Sequence, residues 1–178
     1  NRHRHASHLL GLYPGNAITD KTPELIEACK VSLLDRGFGQ KSGANGSGWG
    51  KANKVNLWAR AKDGNRAYSM LRELINKNIA PNLWDFHPPY QMDGNCGYTS
   101  GVCEMLCYSS DEIIELLPAL PEEWKNGSVK GLCARGGYSL DFTWENGEIK
   151  SLSVYSSCGK KTARIKTGDE IKTVKTVG

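Results

Sequence analysis

The chain has 178 residues, 39% hydrophobic and 24% charged, with a formal net charge of +4. That balance describes a globular chain rather than a disordered one, at a length that buries roughly two thirds of the surface an unfolded chain exposes. The longest apolar run is far short of the ~20 residues of a membrane helix, so membrane insertion is not expected.

In chain order, Thr22-Pro23-Glu24 is a helix start: a hydroxyl N-cap, proline at the first helical position, then an acid. Leu25, Ile26, Cys29, Leu33 and Leu34 follow at helical spacing, and Gly37 closes the helix. A Gly/Ser/Asn-rich loop runs from Gly43 to Gly48. A second helix is predicted over 49–62, with Val55, Trp58 and Ala59 on one face. Asp63 is placed to cap a third helix, striped by Ala67, Met70, Leu71, Leu74 and Ile75. Residues 79–96 read as one long, proline-stiffened loop, and a fourth helix is expected from about Tyr98 to Tyr108. After Ser110 the period changes to two. Strands are predicted at Ile113–Leu117, Ser128–Ala134, Tyr138–Trp144, Glu148–Tyr155, Thr162–Lys166 and Ile171–Val177. Gly136-Gly137, Asn146-Gly147 and Gly168-Asp169 supply turns between strands. The fold class is therefore α+β by segments, helices to residue 110 and a small antiparallel β domain over 111–178.

The positive charge is concentrated in the tail, where Lys160, Lys161, Arg164, Lys166, Lys172 and Lys175 alternate with apolar residues. This is the pattern of a solvated strand face that discourages edge aggregation, not a nucleic-acid footprint. The cysteines Cys29, Cys96, Cys103, Cys107, Cys133 and Cys158 form no CxxC pair and read as small hydrophobes, suggesting a reducing or anaerobic setting.

Three clusters could carry chemistry. The first is His3-Arg4-His5-Ala6-Ser7-His8. Metal binding would need a third ligand that the spacing does not offer, and the arginine favours an oxygen-rich ligand; neither metal nor cofactor is expected. The second runs from Asn82 to Gly97 and mixes aromatics, amides, His87 and the carboxylates Asp85 and Asp93. Sugar sites need that mixture, aromatic faces for the C–H side of a ring and polar groups for its hydroxyls. Asp93-Gly94 before a helix fits a turn or cap equally well. The helix dipole favours the anion there, which suits a general base. The third is Gly48-Trp49 to Arg60, whose two tryptophans, nine apart, point to opposite sides of one helix: one is expected in the core, and Trp49, at the mouth of the glycine-rich loop, either packs or lines a site, packing being the favoured use.

Together these segments resemble glycoside hydrolase family 95, the inverting 1,2-α-L-fucosidases. The matching strings are His3-Arg4-His5-Ala6-Ser7-His8-Leu9 with Gly11-Leu12-Tyr13-Pro14-Gly15, and Gly48-Trp49 with Leu57-Trp58-Ala59-Arg60 and Asp63-Gly64. They continue as Pro81-Asn82-Leu83 with His87-Pro88-Pro89-Tyr90-Gln91-Met92-Asp93-Gly94-Asn95, then Leu117-Pro118-Ala119-Leu120-Pro121 with Ala134-Arg135-Gly136-Gly137. The resemblance implies that residues 1–110 are the last helices of an (α/α)6 catalytic barrel and 111–178 its C-terminal β domain. The chain starts without methionine, shows no signal peptide and is expected to be a piece of a longer parent, which the resemblance suggests is a secreted or cell-surface bacterial enzyme.

The resemblance further implies that Asp93 activates water, that Arg4 and His5 contact the fucose, and that the partners are a fucosylated oligosaccharide or glycan and the rest of the catalytic domain. His87 and Asn95 are added as substrate-binding residues from their nearness to Asp93. Ala52-Asn53 and Cys96 depart from the family pattern. The family's acid glutamate and water-holding asparagines fall in segments upstream of this chain, and neither Glu104 nor Glu112 matches that acid. The competing readings are a carbohydrate-binding module using Tyr138 or Trp144, and a structural accessory domain with no ligand.

Overall fold

The computed structural model describes residues 5–37, 48–87 and 89–177; Arg4 and most of the glycine-rich loop lie outside the described residues. A turn of 3-10 helix at Ser7–Leu9 precedes four α-helices: α1 (Pro23–Arg36), α2 (Trp49–Arg60), α3 (Gly64–Asn78) and α4 (Met92–Leu106). Seven strands follow: β1 (Cys107–Ser109), β2 (Ile114–Leu116), β3 (Gly127–Ala134), β4 (Tyr138–Glu145), β5 (Glu148–Ser156), β6 (Thr162–Thr167) and β7 (Glu170–Lys175).

α1 starts at Pro23 and ends where Gly37, at φ 58°, returns its N–H to Leu33 and Leu34. Thr22 stands at the N-cap, but its hydroxyl turns back to donate to the carbonyl of Thr19 and leaves the helix end uncapped. Only part of the expected stripe is covered: Ile26, Cys29 and Leu33 are buried, whereas Leu25 and Leu34 are exposed. Asp63 caps α3 as expected, accepting from the Arg66 backbone N–H at 3.0 Å. On α3, Ala67, Met70, Leu71 and Leu74 face the core.

α2 is the central helix, packed between α3 and α4 and buried along most of its length. Its contact with α4 explains the largest departure from expectation. α4 begins six residues early, at Met92, and so takes in Asp93, Gly94 and Asn95. Its glycines weaken a helical signal in sequence, yet Gly97 and Gly101 give α2 a flat surface to lie on. A Cβ at Gly97 would meet Ala52 Cβ at 2.8 Å, and one at Gly101 would meet Val55 Cγ1 at 2.5 Å. Asn56, fully buried, crosses the seam: its amide donates to the carbonyls of Ala52 (2.9 Å) and Gly97 (2.8 Å) and accepts from the Ser100 hydroxyl (2.7 Å).

The strands form two sheets, ordered β1-β2-β6-β7 and β3-β4-β5. The second is an antiparallel meander turned by Gly136-Gly137 and by Asn146-Gly147, all four residues at positive φ. Leu140, Phe142 and Trp144 of β4 and Val154 of β5 share a core with Ile114, Leu116, Ala163 and Ile165 of the first sheet. The expectation of a purely antiparallel arrangement is corrected in one place. β2 and β6 pair in parallel, which the intervening meander permits because a parallel pair needs a long crossover.

The lysine tail is also less uniform than expected. Lys166 reaches Asp20 Oδ2 at 2.9 Å and the buried Glu115 at 3.2 Å, and Lys62 joins the same two acids. Ion pairing with both acids more than offsets partial burial and holds the Lys166 ammonium well above the ordinary lysine range.

Gly101→Ala forces its methyl into Val55 and should lower stability by roughly 1–3 kcal/mol. Denaturant unfolding checks this. Val55→Ala in the same chain should remove part of the penalty, giving a double mutant less destabilised than the sum of the two.

Candidate active site

The site is built where the chain between α3 and α4 crosses the first turns of α2 and α4. After α3 the backbone folds into a tight turn, with the Ala80 N–H donating to Trp84 (2.8 Å) and the Leu83 N–H to Ala80 (2.8 Å). Leu83 takes φ 68° in that turn. Asn95 of α4 holds the turn from outside: its Oδ1 accepts from the Asp85 N–H at 2.8 Å and its Nδ2 donates to the Leu83 carbonyl at 2.7 Å. Gln91 joins the two helices. Its N–H donates to the Asp85 carbonyl (3.1 Å) and its Oε1 accepts from the Trp49 N–H (3.1 Å), satisfying an otherwise unpaired donor in the first turn of α2.

This scaffold leaves the two aspartates in opposite environments. Asp93 is exposed on the first turn of α4, with its Oδ1 accepting from the Gly94 N–H at 3.1 Å. Asp85 is 0% exposed, and neither carboxylate oxygen has a hydrogen-bond partner among the described residues. Its carboxyl fills a slot between two glycines. A methyl at Gly94 would overlap Asp85 Oδ2, and one at Gly48, where φ is 56°, would lie 2.8 Å from the same atom. Burial raises the Asp85 pKa, and the charge of Asp93 raises it further; His87 and Lys51 oppose this more weakly. His87, itself exposed, therefore stands within electrostatic reach of the Asp85 slot.

α2 carries two buried lysines toward this end. Lys51 donates to Asn78 Oδ1 at 2.8 Å and pairs with Glu73 at 3.4 Å; Lys54 donates to the Gly37 carbonyl at 2.9 Å. Burial pushes both ammonium groups down, and Arg36 and Lys51 depress Lys54 further. Arg36 in turn donates to the His5 carbonyl at 2.9 Å. The half-buried His5 thus sits at the C-terminal end of α1, from which the cations Arg36, Lys54 and Lys51, each within electrostatic reach of the next, run toward Asp85.

Among the predicted site residues, the structure gathers Asp93, His87 and Asn95 at the α3–α4 connection and sets His5 on α1; Arg4 is outside the described residues. Glu104 is elsewhere. It lies eleven positions along α4 from Asp93, about 16 Å at helical rise, and meets Arg60 Nε at 3.3 Å while burial pushes its carboxyl up. Glu112 pairs with Lys21 at the surface. Neither sheet aromatic named for sugar binding offers an open platform: Trp144 is buried with its Nε1 donating to the Trp124 carbonyl at 2.7 Å, and Tyr138 donates to the Thr162 carbonyl beneath Lys160.

A cleft of about 480 Å³ opens at a different place, between the 16–21 loop, the end of α2 and the first sheet, and no predicted site residue lines it. Lys62, Asp20, Glu115 and Lys166 on its wall already neutralise one another. The unpaired buried carboxyl beside Asp93 is the stronger chemical signal. Among the described residues no group of three or more His, Cys, Asp or Glu is placed to hold a metal, and no helix is long and apolar enough to cross a membrane.

Sequence reading did not single out Asp85, Gln91, Lys51 or Lys54. Asp85 had one available signal, a lone acid inside the apolar run Leu83-Trp84-Asp85-Phe86.

Comparison with known proteins follows this division of the chain. Residues 1–106 match the model of the glycosyl hydrolase family 95 catalytic domain, and residues 108–177 that of the glycoside hydrolase family 95 C-terminal domain. The chain is 38% identical over 167 residues to alpha-L-fucosidase 2 of Arabidopsis thaliana, covering 86% of this chain and 19% of that protein. It is 34% identical over 168 residues to the probable alpha-fucosidase A of Aspergillus oryzae, covering 82% of this chain and 23% of that protein. The probable alpha-fucosidase A of Aspergillus niger matches at 32% over 183 residues, with 92% and 23% covered. The chain thus spans about a fifth of the length of these curated relatives.

The environment of Asp85 has a stability consequence. A carboxyl whose pKa is raised by folding binds its proton more tightly in the native state, so its contribution to stability is full below the unfolded carboxylate value. It is lost as pH rises toward the folded value. Asp85→Asn removes that dependence. The melting temperature of the variant relative to the unaltered protein should climb as pH rises above about 4, as followed by calorimetry across the acid range.

Proposed function

The chain belongs to glycoside hydrolase family 95, and we propose that it supplies the water-activating carboxylate, Asp93, of an inverting α-L-fucosidase acting on terminal α-1,2-linked fucose of oligosaccharides or glycans. The observation that carries this reading is the placement of Asp93. It is an exposed carboxylate on the first turn of a helix, where the dipole favours the anion a general base requires, and it sits in the part of the chain that matches the family's catalytic-domain model.

Asp93 takes a proton from water as the oxygen attacks the anomeric carbon. Arg4 and His5 orient the sugar hydroxyls. His87 shares the pocket. Asn95, whose amide is committed at both ends to the 83–85 backbone, serves by fixing the pocket wall.

An inverting mechanism needs a second carboxyl roughly 6.5–9.5 Å from the first, across the sugar. The distance along α4 argues against Glu104 in that role, so the acid and the asparagines that hold the water belong to the rest of the parent catalytic domain. Residues 1–110 are accordingly the closing helices of an (α/α)6 barrel and 111–178 its β domain. The exposed Val31 and Leu34 of α1, three positions apart and so neighbours on one side of the helix, support this: they offer an apolar edge suited to a further helix of the same barrel. The burial of Trp144 weighs against a carbohydrate-binding module built on the sheet.

Asp93→Asn in the full-length parent should reduce kcat on a fucosylated oligosaccharide by about 10²-fold or more, the scale of a lost general base. Near-normal turnover would sink the assignment. The isolated 178-residue chain should release no fucose from the same substrate, and measurable release would refute the division of the site between this chain and the rest of the parent.

A further inference from the structure

Asp85 is a costly residue to place where it is. An ionised carboxylate buried without a hydrogen-bond donor is among the least favourable arrangements in a protein interior, and a neutral carboxyl is far cheaper. Here the slot also faces a second carboxylate. The charged groups about Asp85 are Asp93 on α4, Lys51 on α2 and His87 on its own segment. Lys51 directs its ammonium to Asn78 and Glu73, and among the described residues no donor reaches either Asp85 oxygen. The backbone, by contrast, is held with care: the N–H of Asp85 by Asn95 and its carbonyl by Gln91. Two helix starts, Gly48-Trp49 and Met92-Asp93-Gly94, close on the carboxyl through glycines that leave no room for a side chain.

We propose that Asp85 is a positioning residue for Asp93: its carboxyl works in the neutral form, filling the slot between Gly48 and Gly94 and leaving Asp93 as the one negative charge of the pair. The proposal rests on the reading of Asp93 as the base. Where two acids share one site, different surroundings decide which of them keeps the proton. Burial assigns it to Asp85. Asp93 then holds a place fixed by the wedge beneath Gly94 and is free to accept the proton of water.

The test uses the full-length parent with Asp85→Asn, Asp85→Ala and Asp93→Asn, assayed on a fucosylated oligosaccharide. Asparagine copies the shape and neutrality of a protonated aspartate, so Asp85→Asn should keep kcat within about threefold of the unaltered enzyme. Asp85→Ala removes the wedge and should lower kcat by on the order of 10–100-fold with KM little changed, the effect of a displaced catalytic group. Equal losses in both variants would show that the charge of Asp85 is needed, and undiminished turnover in Asp85→Ala would show that the wedge does nothing. Either result overturns the proposal.

Should Asp85→Ala fail to fold, infrared difference spectra of unaltered enzyme against Asp85→Asn at neutral pH decide the matter. A protonated-carboxyl band present in the first and missing from the second supports the proposal, and its absence from the unaltered enzyme overturns it. Full turnover in Asp93→Asn would instead bring down the base assignment itself, an outcome distinguishable from any result at residue 85.

Discussion

The rest of the molecule depends on how closely α2 and α4 approach. Gly97 and Gly101 let the backbone of α4 lie on Ala52 and Val55, and contact at that range brings polar main-chain groups into the core. Asn56 answers this by bonding across the seam to Gly97 and Ser100, and Tyr13 extends the chain of bonds by pairing with Ser100 at 2.7 Å. A buried amide with its bonds made gives register as well as stability, because sliding either helix by one residue would leave it unpaired. The register sets everything at the N-terminal ends of the two helices. Gly48 and Gly94 face each other across one carboxyl, Gln91 reaches Trp49, and Asn95 reaches the 83–85 backbone.

The same seam shapes the electrostatics. A helix buried along most of its length has no solvent face on which to place lysines, so Lys51 and Lys54 must find partners inside. They find a side-chain amide, a carboxylate and a backbone carbonyl. Together with Arg36 they form a row of positive charge leading from His5 toward the aspartates.

Much of this was legible where one residue decides one local event. Asp63 caps α3, Gly37 closes α1, and Asn146-Gly147 turns β4 into β5, each from chemistry confined to a few residues. What could not be read depended on distant parts of the chain. The start of α4 was hidden because Gly94, Gly97 and Gly101 are poor helix formers judged alone; their value exists only against α2. Thr22 has the right residue type for a cap, but a nearby carbonyl at Thr19 captured its hydroxyl. The burial of Asp85 is a property of two helix starts that are 43 to 46 positions apart in the chain. Asp93, His87 and Asn95 were named together through the segment they share; what the segment did not show is that the Asn95 amide holds the 83–85 backbone.

The parallel pairing of β2 with β6 imposes an order on the life of the chain. Ile114 lies opposite Ile165, so during synthesis β2 emerges about fifty residues before its neighbour exists. β1 can cover one edge of it at once, and the meander β3-β4-β5 can fold by local turns, but the other edge stays open until β6 arrives. Glu115 waits with it, holding Lys62 but not yet Lys166. Closure of the first sheet is therefore a late event on the ribosome, and a chain stopped short of β6 would carry both an unpaired strand edge and a buried acid missing one of its two lysines.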